Sequence, residues 1–588
     1  MKVRSVWLAL AVLGPLLAGC GHRRLLAAIE PTLDAHPAPP DADVGAWVLR
    51  ARVGEDRGDL DEADRAWQWA VRFGADDPWT WTGRGGFLER AGRADDALSA
   101  YREALARDPG LARAHLGIGR ILVTRGDDPD GAPELQAAAD AGLPEALHLL
   151  ARLRLRAGDE AGALAVYEAW AKRPTTVVGE HLDRGRLALA VGRPAAAVDD
   201  LVAALRGGQG GPQTAGILAR TARGVCRIGP VWRWAVETRL GDREDPAWRS
   251  VAVTIALSAR DPDLLEQAIG PGEGLDLLLA ERLDLLVAAG RTDAALGVLD
   301  EAAAARPEDA SLRLRRAAVL ARATRSQQAL AILAQVPPDS RYGGAAALQA
   351  AEIHLALGDP QAALAVLDAA SSSGWSLTRV RARALAAAGQ LQQAEDVLQH
   401  GSAPPAERWR QVGHLREAAG DDTGALEAYA ASGDDPRALA ERARLLERTG
   451  NRGGAEAVWK RLVTVDPSDS AAWVGLARVS GDPGPALHRA LQADPCDVPA
   501  RLALAATEPP CAATAPLERA REAAPRDPRV LDALASAYHA CGVARQTSGQ
   551  EVQGALEGLR DVEWTWQVVG DDAAVARVHA LLAGLEGS

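Results

Sequence analysis

The chain has 588 residues, far more than one hydrophobic core organises, so several domains or a repeat array are expected. Apolar residues make up 48% and aromatic ones only 4%, which leaves a helix-favouring mixture of Ala, Leu and Val. The net charge of −13 excludes the broad basic surface of a nucleic-acid binder, even though 63 of the 66 basic residues are arginine and only Lys2, Lys172 and Lys460 are lysine.

The first element is an apolar stretch over residues 6–17, preceded by Lys2 and Arg4. It has the length of a secretory signal and falls short of the ~20 residues that cross a bilayer. It leads into "LAGC" at 17–20, which resembles the lipobox of bacterial lipoproteins. That resemblance implies a diacylglycerol on the thiol of Cys20, cleavage before it, and stable anchoring by more than one acyl chain, as in palmitate-bearing lipoproteins. The alternative is an ordinary secretory signal that happens to contain a cysteine. Gly21, where an Asp would retain such lipoproteins at the inner membrane, points to an outer-membrane lipoprotein facing the periplasm. Residues 1–19 are thus read as the signal peptide. Residues 20–44, rich in Pro, Ala and Asp, are read as lipid anchor and tether.

From there the sequence repeats. Glycines that split two apolar-periodic stretches stand at Gly58, Gly92, Gly126, Gly158 and Gly192, and the series resumes at Gly290, Thr324, Gly358, Gly389, Gly420 and Gly450. Most steps are 34 residues and the last three are 31, 31 and 30. Seven residues before the turn stands Ala or Gly in ten of eleven copies, Leu283 being the exception, and five after it always Ala or Gly. Nine after it the residue is always large, as in Trp67, Tyr101, Leu135, Tyr167 and Trp459. Small residues let helix axes approach and large ones fill the space between hairpins. Pro109, Pro307 and Pro467 end the second helix in three copies.

This pattern resembles the tetratricopeptide repeat (TPR) over at least residues 45–206 and 276–467. The resemblance implies an all-α fold, a right-handed α-solenoid of TPR-like helical hairpins. Its concave groove would receive a peptide or helix of another protein. The organisation expected is a first TPR block of about five repeats (45–206), an irregular helical segment (207–275), a second block of about six repeats (276–467), and degenerate repeats with a C-terminal cap (468–588). Trp232, Trp234 and Trp248, in the irregular segment, are read as packing between helices.

Catalytic motifs are missing: no lysine belongs to a phosphate loop or an SxxK pair, and neither HExxH nor GxSxG occurs. His115, His148 and His181 fall 33 residues apart because they sit in successive first helices, and adjacent hairpins, about 10 Å apart, are too distant to share a zinc ion. No enzyme, metal or cofactor is therefore expected. Cys226, Cys496, Cys511 and Cys541 allow three full pairings. Cys511–Cys541 is favoured because both are expected to follow first helices of adjacent hairpins, with free thiols as the alternative.

Six residues before the turn, the first block carries Arg52, Gly86, Arg120, Arg152 and Arg186. By the TPR resemblance this column faces the groove. Arg52, Arg120, Arg152 and Arg186 are the candidate partner-binding residues, suited to an acidic segment or a C-terminal carboxylate. The function expected is that of a lipid-anchored periplasmic scaffold binding other proteins in an envelope assembly or export complex. The alternatives are an adaptor that gathers peptidoglycan-active or other envelope enzymes, and an enzyme with an unrecognised site in 207–275 or 468–588.

Overall fold

Each hairpin is punctuated by local chemistry. The Asp77 carboxylate accepts from the amides of Trp79 (3.2 Å) and Thr80 (3.1 Å), and Pro78 opens the helix Pro78–Arg90. That helix stops at Gly92, whose φ of +76° suits glycine. The Arg93 amide then reaches back to the Leu88 carbonyl at 2.8 Å. The second helix, Ala94–Arg107, follows at once. Asp59, Asp159, Asp359 and Asp421, each just after a turn glycine, cap the second helix by accepting from the amide three residues on, whereas Asp127 after Gly126 makes no such bond.

The computed structural model describes residues 44–172, 178–269, 278–371, 373–548 and 550–586. Cys20, the signal peptide and the tether before residue 44 lie outside them. Thirty-three α-helices and no strand stand among the described residues. The fold is all-α, built as a solenoid of TPR-like hairpins.

The small and large columns explain one another. A Cβ on Gly85 would lie 2.7 Å from the Tyr101 ring, and one on Gly117, in the next first helix, 2.3 Å from it. Tyr101 is therefore the wedge between its own hairpin and the following one. Trp459 repeats the arrangement on Gly475, where a Cβ would come within 2.6 Å of the indole. Ala51, Ala63, Ala97, Ala151 and Ala163 are fully buried at the helix crossings.

The chain divides into two compact units, 1–209 and 210–588. Unit 1 holds the five hairpins turning at Gly58, Gly92, Gly126, Gly158 and Gly192. Unit 2 begins with two hairpins that lack a turn glycine. Cys226, 34 residues after Gly192, joins Pro212–Gly224 to Ile228–Glu237, and Arg260, 34 further on, joins Pro246–Ala259 to Pro262–Ile269. Both take the left-handed conformation of a turn glycine, with φ of +60° and +55°. Trp232 and Trp234 are buried here, and Trp248 lies at 6.3 Å from Trp234. The hairpins from Gly290 to Gly450 follow. The unit ends with shorter hairpins and three helices, Pro528–Thr547, Gln553–Val569 and Asp572–Glu586. The described residues of 207–275 and 468–588, the stretches left open for an enzyme, are helical hairpins without a strand.

Candidate partner-binding face

The arginine column lies on the first helices of unit 1. Arg52, Arg152 and Arg186 are exposed and make no ion pair or hydrogen bond among the described residues. Arg52 is solvent-exposed, yet desolvation by surrounding protein pushes its guanidinium pKa down. Glu55 opposes the shift, while Arg90 and Arg113 add to it. Arg113 belongs to the third hairpin and Arg52 to the first, so the charge that acts on Arg52 comes from beyond its own hairpin. Trp79, of the second hairpin and in the same column as Arg113, is 57% exposed. Further along, burial pushes the His148 pKa down; Asp183 opposes this, and Arg152 and Arg186 reinforce it. The first helices thus carry exposed arginines at both ends of unit 1, and an exposed indole at Trp79.

Arg120 stands apart from the other three. Its Nε and Nη2 donate to Glu89 at 2.6 and 2.8 Å, and its Nη1 to Glu145 at 2.5 Å. Those bonds hold it charged and occupy three of its five N–H donors. It ties three hairpins together, because Glu89 lies in the last turn of the first helix before it and Glu145 in the first turn of the one after.

Arg120 belongs to a recurring clamp that spacing alone did not reveal. Three residues before the turn a Glu accepts from the large residue nine after it, and from an Arg of the next first helix. Glu55 takes Trp67 Nε1 (2.7 Å) and Arg90. Glu89 takes the Tyr101 hydroxyl (2.9 Å) and Arg120. Glu417 takes the Tyr429 hydroxyl (2.7 Å) and Arg448 (2.8 Å). Glu447 takes Trp459 Nε1 (2.5 Å) and Arg478 (3.2 Å). Burial and the adjacent carboxylate raise the pKa of Tyr101 and Tyr429, which stay protonated donors. The signal is in the sequence. Where Leu stands nine after the turn, the residue three before it is Val123, Leu189, Val287, Ala321, Leu355 or Ala386, never an acid. Tyr167, with Leu155 there, is the aromatic left without a Glu.

The cysteines form two bridges. Cys511 pairs with Cys541, Cα atoms 4.7 Å apart, and Cys226 with Cys496, 5.2 Å apart. The positions differ from the expected hairpin edges: Cys511 lies in the first turn of Pro510–Ala523, and Cys541 within the 20-residue helix Pro528–Thr547. His115 and His181 each meet a carboxylate of the second helix, Glu134 at 2.6 Å and Asp200 at 3.1 Å.

Models of the tetratricopeptide repeat match residues 88–144 and 436–479. Similar solved structures include PilW, described as a widely conserved type IV pilus biogenesis factor (24% identity, 34% of this chain and 91% of that one, TM-score 0.27). They also include pilF of Pseudomonas aeruginosa (15%, 35% and 95%, TM-score 0.29) and Naa15/Naa10 bound to HypK-THB (13%, 99% and 100%, TM-score 0.28). None of the curated proteins matches the chain.

Proposed function

We propose that this chain is a lipid-anchored periplasmic scaffold at the outer membrane, non-enzymatic, whose unit 1 holds an acidic segment of another protein within an envelope assembly. The observation that carries the partner reading is the set of exposed, unpaired arginines Arg52, Arg152 and Arg186 on the first helices of a net-acidic chain, with Trp79 exposed on another first helix of the same unit. Guanidinium groups bind carboxylates through two parallel hydrogen bonds and keep their charge at any physiological pH. The indole offers apolar contact to a partner that is acidic and not merely charged. Arg120 takes no part in capture.

The test is capture of a synthetic peptide rich in Asp and Glu, ending in a free carboxylate, by the full chain. Arg52→Glu with Arg152→Glu and Arg186→Glu should abolish it, and wild-type capture should weaken as salt rises. Undiminished capture by a folded triple variant sinks the reading. Anchoring rests on the lipobox and has its own test. Cys20→Ser should shift the protein from the membrane fraction to a soluble or uncleaved form. An acylated, membrane-bound variant would overturn it.

A further inference from the structure

Unit 2 touches its own beginning. Cys226, in the turn of its first hairpin, is bonded to Cys496, in the loop between Gly484–Ala493 and Val498–Ala505, 270 residues away. Around the bridge the first two hairpins meet the last helices. Arg227 pairs with Glu522 at 2.9 Å, and Arg233 grips both oxygens of Asp561 at 2.9 Å while lying 4.3 Å over the Trp564 ring. Trp232 meets Trp564 edge-on at 5.9 Å. Asp261, 1% exposed, accepts from Trp232 Nε1 at 2.7 Å and faces Arg526 at 2.5 Å. At Gly229 a Cβ would sit 3.1 Å from the Arg521 carbonyl oxygen and from the Glu522 Cα, so backbone abuts backbone.

The composition of this junction sets it apart from the joints between neighbouring hairpins. Those bury continuous rows of Ala, Leu and aromatic side chains, to which the Glu–Arg clamps are added at the edge. This one depends on ion pairs, most of them partly exposed and so weak and screened by salt, around a single buried pair. Cys226 itself is costly where it stands. Every turn from Gly58 to Gly192 uses glycine at positive φ, and Cys226 holds the same conformation at +60° with a side chain glycine would not carry. Its thiol, not its backbone, accounts for its presence.

We propose that Cys226–Cys496 is the lock of a closable solenoid: bridged, it holds the first hairpins of unit 2 on the last; cleaved by a dithiol reductant, it lets that junction open. Cys496 is exposed and Cys226 buried. A thiolate of the reductant attacks Sγ of Cys496 and the Cys226 thiolate leaves. The reductant's second thiol, once deprotonated, then displaces Cys496. Two protons pass to the two cysteines, the disulfide gains two electrons, and the dithiol is oxidised to its own disulfide. This inference does not depend on what unit 1 binds.

The test is amide hydrogen exchange on the full-length protein in detergent, comparing wild type with Cys226→Gly and with Cys226→Ser/Cys496→Ser. Both variants keep Cys511–Cys541. Cys226→Gly puts the preferred residue into the turn, so its hairpin should fold at least as well. Exchange should rise at least tenfold in Ile228–Glu237 and Gln553–Val569, more so in high salt, and stay unchanged in the Gly358 to Gly420 hairpins. Dithiothreitol should reproduce this in wild type. Unchanged exchange at both ends of the junction overturns the proposal. So does alkylation of Cys226 and Cys496 in unreduced wild type.

Discussion

Glu89 illustrates how much one side chain decides in this chain. It satisfies the hydroxyl of a buried wedge, Tyr101, and neutralises Arg120 from the next hairpin. Tyr101→Phe should cost about 1 kcal/mol, whereas Glu89→Ala strands both partners and should cost about 1–3 kcal/mol. In the Glu89→Ala background Tyr101→Phe should cost almost nothing further, because its acceptor is already gone. Urea unfolding of the four proteins measures this, and additive losses would refute the clamp. His148 gives a pH signature. Its pKa is depressed by burial, so the unfolded chain binds its proton first as pH falls. Its contribution is present above the ordinary imidazole value of about 6.5 and is lost below it, before carboxylates near about 4 begin to titrate. His148→Asn should therefore flatten the fall in melting temperature between those values. Spacing made the arginine column legible, since a 34-residue period fixes which residues share a helix face. It could not separate Arg120 from Arg152, because that difference lies in Glu89 and Glu145 on flanking hairpins.

At the scale of the element, the turn decides what the sequence discloses. Glycine at positive φ is visible as a residue type, and so the hairpins at Gly58 to Gly192 and most of those from Gly290 to Gly450 could be placed directly. The Cys226 and Arg260 turns adopt the same backbone with residues that normally avoid it, and only the undisturbed 34-residue step from Gly192 betrays them. What composition concealed, the period retained. The same reasoning predicts a gain. Thr324 is β-branched and held at φ +60°, a conformation that crowds its Cβ against the backbone. Thr324→Gly should stabilise unit 2 by about 1 kcal/mol, the left-handed penalty less the freedom glycine regains on unfolding. A higher urea midpoint for the unit 2 transition is the expected reading, and a lower one would show that the threonine makes a compensating contact.

For the whole molecule the two units obey different rules. In unit 1 each hairpin rests on its neighbours in sequence, so damage should stay local, as in any linear array. In unit 2 the junction around Cys226–Cys496 joins residues more than 250 positions apart. No local pattern announces such a junction: small rotations accumulate from hairpin to hairpin, and the closing partners, Arg227 with Glu522 and Arg233 with Asp561, share no spacing with the repeat. Equivalent lesions expose the contrast. Leu201 and Leu559 are both buried, in the last hairpin of unit 1 and in the helix Gln553–Val569. Either substitution to alanine should cost about 2–5 kcal/mol where it is made. Leu201→Ala should leave hydrogen exchange in Val44–Arg57 and Leu60–Phe73 as it was. Leu559→Ala should quicken exchange in Ile228–Glu237 as well, because that helix leans on Asp561 and Trp564 of the damaged element. The disulfide keeps the two ends tethered but not packed. The distant response should therefore grow when Leu559→Ala is combined with Cys226→Gly. If Ile228–Glu237 exchanged at the wild-type rate in both, unit 2 would be an open array whose ends share a bond and no stability.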